Sequence, residues 1–332
     1  MTTVILKIQN RILKKKLAMA LLLTIVAALY AQGAQAQESQ TEYNFLRLPV
    51  SAHAAALGGE NITLIEDDAA LTLSNPALAA SVSDRTIGLS YMNYMKGVNY
   101  GGASFTKVLK EKATVQGGVQ YINYGKMKEV DENNIQTGEF SASEIALNAT
   151  LAYQLGKNFV GGITAKFITS YLGSYNSIAM GVDLGVNYYD PEREWSVSAV
   201  AKNLGGQVKA YDDDYGKMPF DLQVGVSKTF EVLPVRLSAT LTDLTHYDYR
   251  FINHLSLGAD ILLSQQIWIG AGYNFRRADE MKTQSGTDDE SSHGAGLTLG
   301  AGINLDRFKL NVAYGKYHVS SSAIMVNLGI CI

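Results

Sequence analysis

Residues 178–187 read IAMGVDLGVN, and the period of two in that stretch decides the fold. Ile178, Met180, Val182, Leu184 and Val186 alternate with Ala179, Gly181, Asp183, Gly185 and Asn187, so a strand here carries one greasy face and one small or polar face. A tilted strand of about ten residues crosses a bilayer. The pattern recurs on either side. Phe220, Leu222, Val224 and Val226 oppose Asp221, Gln223, Gly225 and Ser227, and Val235, Leu237, Ala239 and Leu241 oppose Arg236, Ser238, Thr240 and Thr242. Ile324, Val326, Leu328, Ile330 and Ile332 oppose Met325, Asn327, Gly329 and Cys331 at the C-terminal end. From Arg85 onward we count fourteen such segments.

A soluble antiparallel sheet alternates too, so the connections have to separate the two cases. After the even-numbered strands they are short, around 110–112, 156–158, 190–194, 231–234, 264–266 and 304–307. After strands three, seven, nine and eleven they are long and polar, at 125–140, 205–218, 243–254 and 276–293. Short turns at one end and long loops at the other mark an outer-membrane barrel, with the short turns in the periplasm. An even strand count then places both chain ends in the periplasm. An open sheet edge in hydrocarbon leaves amides unpaired at several kcal/mol each, so strand one must pair with strand fourteen. Tyr91, Tyr94, Tyr121, Tyr124, Tyr188, Tyr189, Tyr273 and Tyr314 fall near strand ends, where a girdle at the headgroups is expected.

Fourteen strands enclose more space than side chains fill, since about eight already pack a barrel interior. Residues 54–80, AAALGGENITLIEDDAALTLSNPALAA, are too polar to span a membrane and suit that space as a plug. Gly58 and Gly59 permit a tight turn, Asp67 or Asp68 can cap a short helical run from Ala69 to Leu73, and Asn75 can cap a turn opening at Pro76 and Ala77. The inward parity also carries Glu144, Lys166, Asp183, Lys202, Arg236, Asp260 and Lys309, which are expected to hold the plug or line a hydrated lumen. The chain therefore divides into a signal peptide at 1–36, a plug segment at 37–84 and a fourteen-stranded antiparallel transmembrane β-barrel at 85–332, an all-β architecture.

The signal assignment rests on Lys7, Arg11 and Lys14 to Lys16, followed by an apolar run and Ala34-Gln35-Ala36, with cleavage expected after Ala36. That run is shorter than the roughly 20 residues a spanning helix needs. Its removal leaves 23 Lys and Arg against 31 Asp and Glu, an acidic balance that argues against nucleic acid as a partner. Cys331 is the sole cysteine, which excludes a disulfide framework and a lipid-attachment cysteine behind the signal.

Catalytic patterns do not assemble. Ser104 and Lys107 match Ser-x-x-Lys, and Ser174 and Asn176 match Ser-x-Asn, but a strand turns residues three apart to opposite faces and no Lys-Thr-Gly completes the set. His53, His246, His254, His293 and His318 lack metal-ligand spacing. The runs Asp212-Asp213-Asp214 and Asp288-Asp289-Glu290 lack the spaced ligands and central glycine of a calcium loop and are expected as solvated loops. No enzymatic activity, cofactor or metal is expected.

The run GGENITLIEDDAALTLSNPAL at 58–78, ahead of fourteen strands, resembles the long-chain fatty-acid transporter superfamily of outer-membrane barrels, whose plug carries an Asp-rich turn and then Asn-Pro-Ala. The lead-in NFLRLPVSAHAAALGG at 44–59 and AKNLGG at 201–206 are similar to the PorV/PorQ branch found with the type IX secretion system of Bacteroidetes. The resemblance implies an integral outer-membrane protein, in contact with membrane lipid, that anchors a surface protein of the type IX attachment complex through its outer loops. It also keeps two alternatives open: transport of hydrophobic small molecules such as long-chain fatty acids, and a PorV-like role in carrying secreted cargo.

Overall fold

The computed structural model describes residues 41–332 except 111, 134, 231–232, 265, 285–289, 292–293 and 319–320. The expected signal peptide and its cleavage site lie outside the described residues. The alternation at 178–187 is realised inside strand β6, Tyr175–Asp190. There Met180, Leu184 and Val186 are between 42 and 55 % exposed, whereas Ala179, Asp183 and Asn187 are buried.

In chain order the strands are β1 Thr86–Met95, β2 Val98–Leu109, β3 Ala113–Val130, β4 Gln136–Gln154, β5 Phe159–Leu172, then β6, then β7 Trp195–Lys209 and β8 Asp221–Phe230. They continue with β9 Val235–Leu241, β10 Leu255–Leu262, β11 Ile267–Asn274, β12 Leu297–Asn304, β13 Phe308–His318 and β14 Ser321–Cys331. Each pairs antiparallel with its neighbours, and β1 closes on β14 with Thr86 opposite Cys331 and Asn93 opposite Ile324. The result is a closed fourteen-stranded barrel without a free edge along its wall.

All connections after even-numbered strands are tight turns, and the extended ones, 210–220, 242–254 and 275–296, lie together at the opposite end. Two expected loops prove shorter. In 125–140, β3 continues to Val130 and β4 begins at Gln136, because Gly125, at φ +75°, accommodates an irregularity between Asn123 and Lys126 without ending the pairing. Likewise β7 runs through Gly205 and Gly206 to Lys209. Gly205 lacks a side chain because a Cβ there would overlap the Met180 carbonyl across the strand pair, so this glycine marks close backbone approach.

The expected tyrosine girdle is corrected in part. Tyr91, Tyr121, Tyr273 and Tyr314 are exposed on the outer wall. Tyr94 and Tyr124 pack against the interior, and the Tyr124 hydroxyl donates to Glu144 Oε2 at 2.6 Å. Both stand two residues from the fully buried Met92 and Ile122, so period two itself turns them inward.

Candidate functional site

The N-terminal segment is built from short elements, each with a local reason to form. A 3-10 turn spans Asn44–Arg47, and helix α1, Ala52–Ala56, begins at Ser51, whose hydroxyl accepts from Ala54 N. Gly58 and Gly59 follow at φ +98° and +92°, a region costly for residues with a Cβ. Asp68 accepts from Ala70 N at 2.9 Å and starts the 3-10 helix Ala69–Leu73, and Asn75 accepts from Ala77 N at 3.0 Å ahead of Pro76–Ser81. These are helix-capping bonds, and Pro76 stands where its missing N–H costs nothing.

Inward glycines of the barrel let this segment approach the strand backbone. A Cβ on Gly162 would overlap Pro76 and Ala77, one on Gly185 would overlap Asn75, and one on Gly272 would overlap Leu57 and Gly58. The small side of the alternation is therefore a bed for the N-terminal chain.

The segment runs the length of the barrel. Glu42 N donates to Lys217 O at 2.9 Å and Arg47 pairs with Asp243 at 2.9 Å, both at the long-loop end. Asp67 pairs with Lys309, and Asp84 Oδ1 accepts from Val108 N at 2.9 Å, both at the short-turn end. This corrects the expected placement of one chain end: β1 begins and β14 ends at the short-turn end, as expected, but residues 41–47 stand at the other, because the segment runs along the inside of the wall before β1.

Side chains from remote parts of the chain meet at Arg236. Its Nη2 lies 2.6 Å from Glu66 Oε1 and 3.0 Å from Asp260 Oδ2. His53 Nδ1 lies 2.8 Å from the other Glu66 oxygen, and its ring stacks on Trp268 with centroids 3.4 Å apart. Burial opposes ionisation of both His53 and Glu66. Glu66 and Asp260 nevertheless raise the imidazole above its ordinary value, and His53 with Arg236 holds the Glu66 carboxyl well below the usual carboxylate range. The segment carboxylate that reaches Arg236 is Glu66, while Asp67 takes Lys309 and Ser83, and Asp68 takes the Ser51 hydroxyl.

The remaining inward charges sit apart from this cluster. Lys166 pairs with Asp183 at 2.7 Å and donates to Asn203 Oδ1, Glu144 accepts from Tyr124, and Lys202 lines a cavity. That cavity lies between the N-terminal segment and β3, β5, β7 and β8, with Glu60, Asn61, Gln120, Lys166, Lys202 and Asp221 in its wall. Its volume of about 30 Å³ is room for a water or two. Burial, with Asp221 adding to it, pushes the Glu60 carboxyl up to about 7.

Sequence reasoning missed His53, Trp268 and Asp243. Trp268 carried a signal, an aromatic on the inward parity of a strand whose other inward positions include Gly270 and Gly272. Asp243 gathers Arg47 and Arg276 beneath the long loops, and these cations with His246 overcome its burial to hold its carboxyl far below the usual range. Helix α2, Phe275–Glu280, presents Arg276 there. Ser104 and Lys107 occupy opposite faces of β2. Among the described residues no group of three His, Cys, Asp or Glu is arranged to hold a metal; Asp288, Asp289 and His293 lie outside them.

A closed fourteen-stranded antiparallel wall, apolar outside and with mixed polar and apolar side chains within, is that of an outer-membrane β-barrel protein. Solved structures share the fold: the Pseudomonas putida toluene transporter TodX at 13 % identity, covering 88 % of this chain and 98 % of that one with a TM-score of 0.54, and a Pseudomonas aeruginosa FadL homologue at 11 %, covering 84 and 97 % with 0.50. The CymD monoaromatic hydrocarbon channel matches at 13 %, covering 86 and 97 % with 0.53. The family model of the type IX secretion system membrane protein PorP/SprF matches residues 68–323, and the chain belongs to that family. No curated protein matches the chain.

Proposed function

We propose that this barrel anchors a surface partner of the type IX secretion and attachment machinery at its long-loop end, in the manner of a PorQ-like member of the type IX barrels. The observation that carries this reading is the contrast between a filled interior and a projecting end. The N-terminal segment lies against the inward glycines, and the cavity beside it is small, with the charged and amide groups of Glu60, Lys166, Lys202, Asp221 and Gln223 in its wall beside apolar residues of the segment such as Leu46 and Val50. A hydrocarbon chain would have to displace those groups from their partners, at a cost that apolar contacts do not offset. The long-loop end instead offers exposed polar backbone and the exposed side chains Asp212, Asp213, Asp214 and Tyr215. Export by a cleaved signal peptide and an outward-facing long-loop end belong to the same reading.

Transport of hydrophobic small molecules is the second reading, favoured by the likeness to TodX, a toluene transporter, and to CymD, a monoaromatic hydrocarbon channel. Deleting the gene and measuring both surface attachment and uptake of labelled toluene or fatty acid separates the two. Loss of attachment with normal uptake supports the anchor, and the reverse supports transport. Stable co-purification with the C-terminal domains of secreted cargo would mark a PorV-like carrier instead.

A further inference from the structure

Strands β3 and β4 outrun their neighbours. Pairing of β2 with β3 reaches only Asn99 opposite Asn123, and pairing of β4 with β5 reaches only Ala142 opposite Leu172. Beyond those points Lys126, Lys128 and Val130 pair with Ser141, Glu139 and Gln136 and with nothing else. At about 3.3 Å per residue the ribbon stands roughly 15 Å above the adjoining strands. Its tip is fastened: Asp131 N donates to Ile135 O at 2.9 Å, and Asp131 Oδ1 accepts from Asn133 N and Ile135 N at 2.9 and 2.8 Å. An ordered ribbon of this kind keeps two edges of backbone N–H and C=O groups facing water, which are templates for another strand.

The β3 edge has a specific chemistry. Lys126 and Lys128 share one face; Glu139 stands opposite Lys128 in the ladder but turns to Lys126 at 3.5 Å, and among the described residues Lys128 makes no ion pair. Val130 and Ile135 at the tip are 49 and 62 % exposed, and they stand beyond Tyr121, the last exposed tyrosine on the β3 wall. A second copy in the same membrane would bring the same edge and set Lys128 against Lys128, and like charges directly opposite destabilise a strand pair.

We propose that the edge at 126–130 takes up an extended segment of the surface partner by strand addition, with a carboxylate of that segment opposite Lys128 and an apolar side chain opposite Val130. The proposal rests on the anchor reading and names the place where the partner is held.

The test is amide hydrogen exchange, read residue by residue, on the barrel in native outer membranes and on the purified barrel. Strand addition engages every second amide of an edge, so alternate amides within 126–130 slow by about tenfold or more in the native membrane and lose that protection on purification. The double change Lys126→Glu with Lys128→Glu, on exposed side chains, abolishes the difference while the barrel stays inserted, and Val130→Asp weakens it. If 126–130 exchanges equally in both preparations while 210–220 or 275–284 is protected, the edge proposal is overturned and the anchor reading stands. If no amide at the long-loop end differs, both fall.

Discussion

At the short-turn end, the turn Pro76–Ser81 and its cap Asn75 lie so close to β5 and β6 that Gly162 and Gly185 have no room for a side chain. At the long-loop end, charged side chains make the contacts, with Arg47 and Arg276 converging on Asp243, Glu60 close by, and a ribbon extending beyond the wall. The difference teaches where each kind of change is tolerated. Contacts between small residues seal an end and leave little to vary, whereas an end held by side chains and loops can present new chemistry without disturbing the barrel.

The sharpest way to break the sealed region is Arg236→Met. It leaves Glu66 and Asp260 buried without their shared cation, and unfolding of the reconstituted barrel is expected to cost about 3–5 kcal/mol less. A loss under about 1 kcal/mol would mean that the cluster does not hold the segment to the wall. Leu184→Arg follows, since its side chain faces lipid at mid-strand, with an expected loss of about 2–4 kcal/mol in the same assay. Its neighbour Asp183 looks milder from sequence, as a lumen charge beside water. The structure makes it the counter-charge of Lys166 at 2.7 Å, so Asp183→Asn joins the costly changes.

That reversal shows what the sequence carried. Period two placed Asp183 and Leu184 on opposite faces and set the strand number, while the cost of an open edge in hydrocarbon forced closure of β1 on β14. Caps were legible because their partners are local: Asp68 to Ala70 and Asn75 to Ala77 are each two residues apart. Ion pairs were not. Arg236 and Glu66 are separated by 170 positions, Lys309 and Asp67 by more, and nothing in either stretch encodes which carboxylate a threading segment brings within reach. Gly125 and Gly205 read as breaks, because one letter serves a turn, an irregularity in a ladder and a close approach alike.

A smaller effect sharpens the contrast between the ends through pH. Glu60, raised in the folded barrel from its ordinary 4.5 to about 7, binds its proton more tightly folded than unfolded. Stability from this group is full below about 4.5 and is lost as pH rises through about 7. Glu60→Gln removes the dependence, so the variant should match wild type near pH 5 and exceed it by on the order of 1 kcal/mol near pH 8 in urea unfolding. An unchanged pH profile would place Glu60 in solvent.

The smallest effect on stability carries the largest on function. Shortening the β3–β4 loop beyond Lys126 and Ser141 leaves the pairing of β3 with β2 and of β4 with β5 intact and should alter unfolding by under about 0.5 kcal/mol. The measurement that bears most directly on the account is therefore surface retention of the type IX partner on intact cells carrying either this shortened loop or Asn75→Ala, with labelled fatty-acid uptake followed in parallel. The account predicts that the shortened loop releases the partner with the barrel still inserted, that Asn75→Ala retains it, and that uptake is the same in both. Retention by every long-loop truncation together with loss on Asn75→Ala would contradict it.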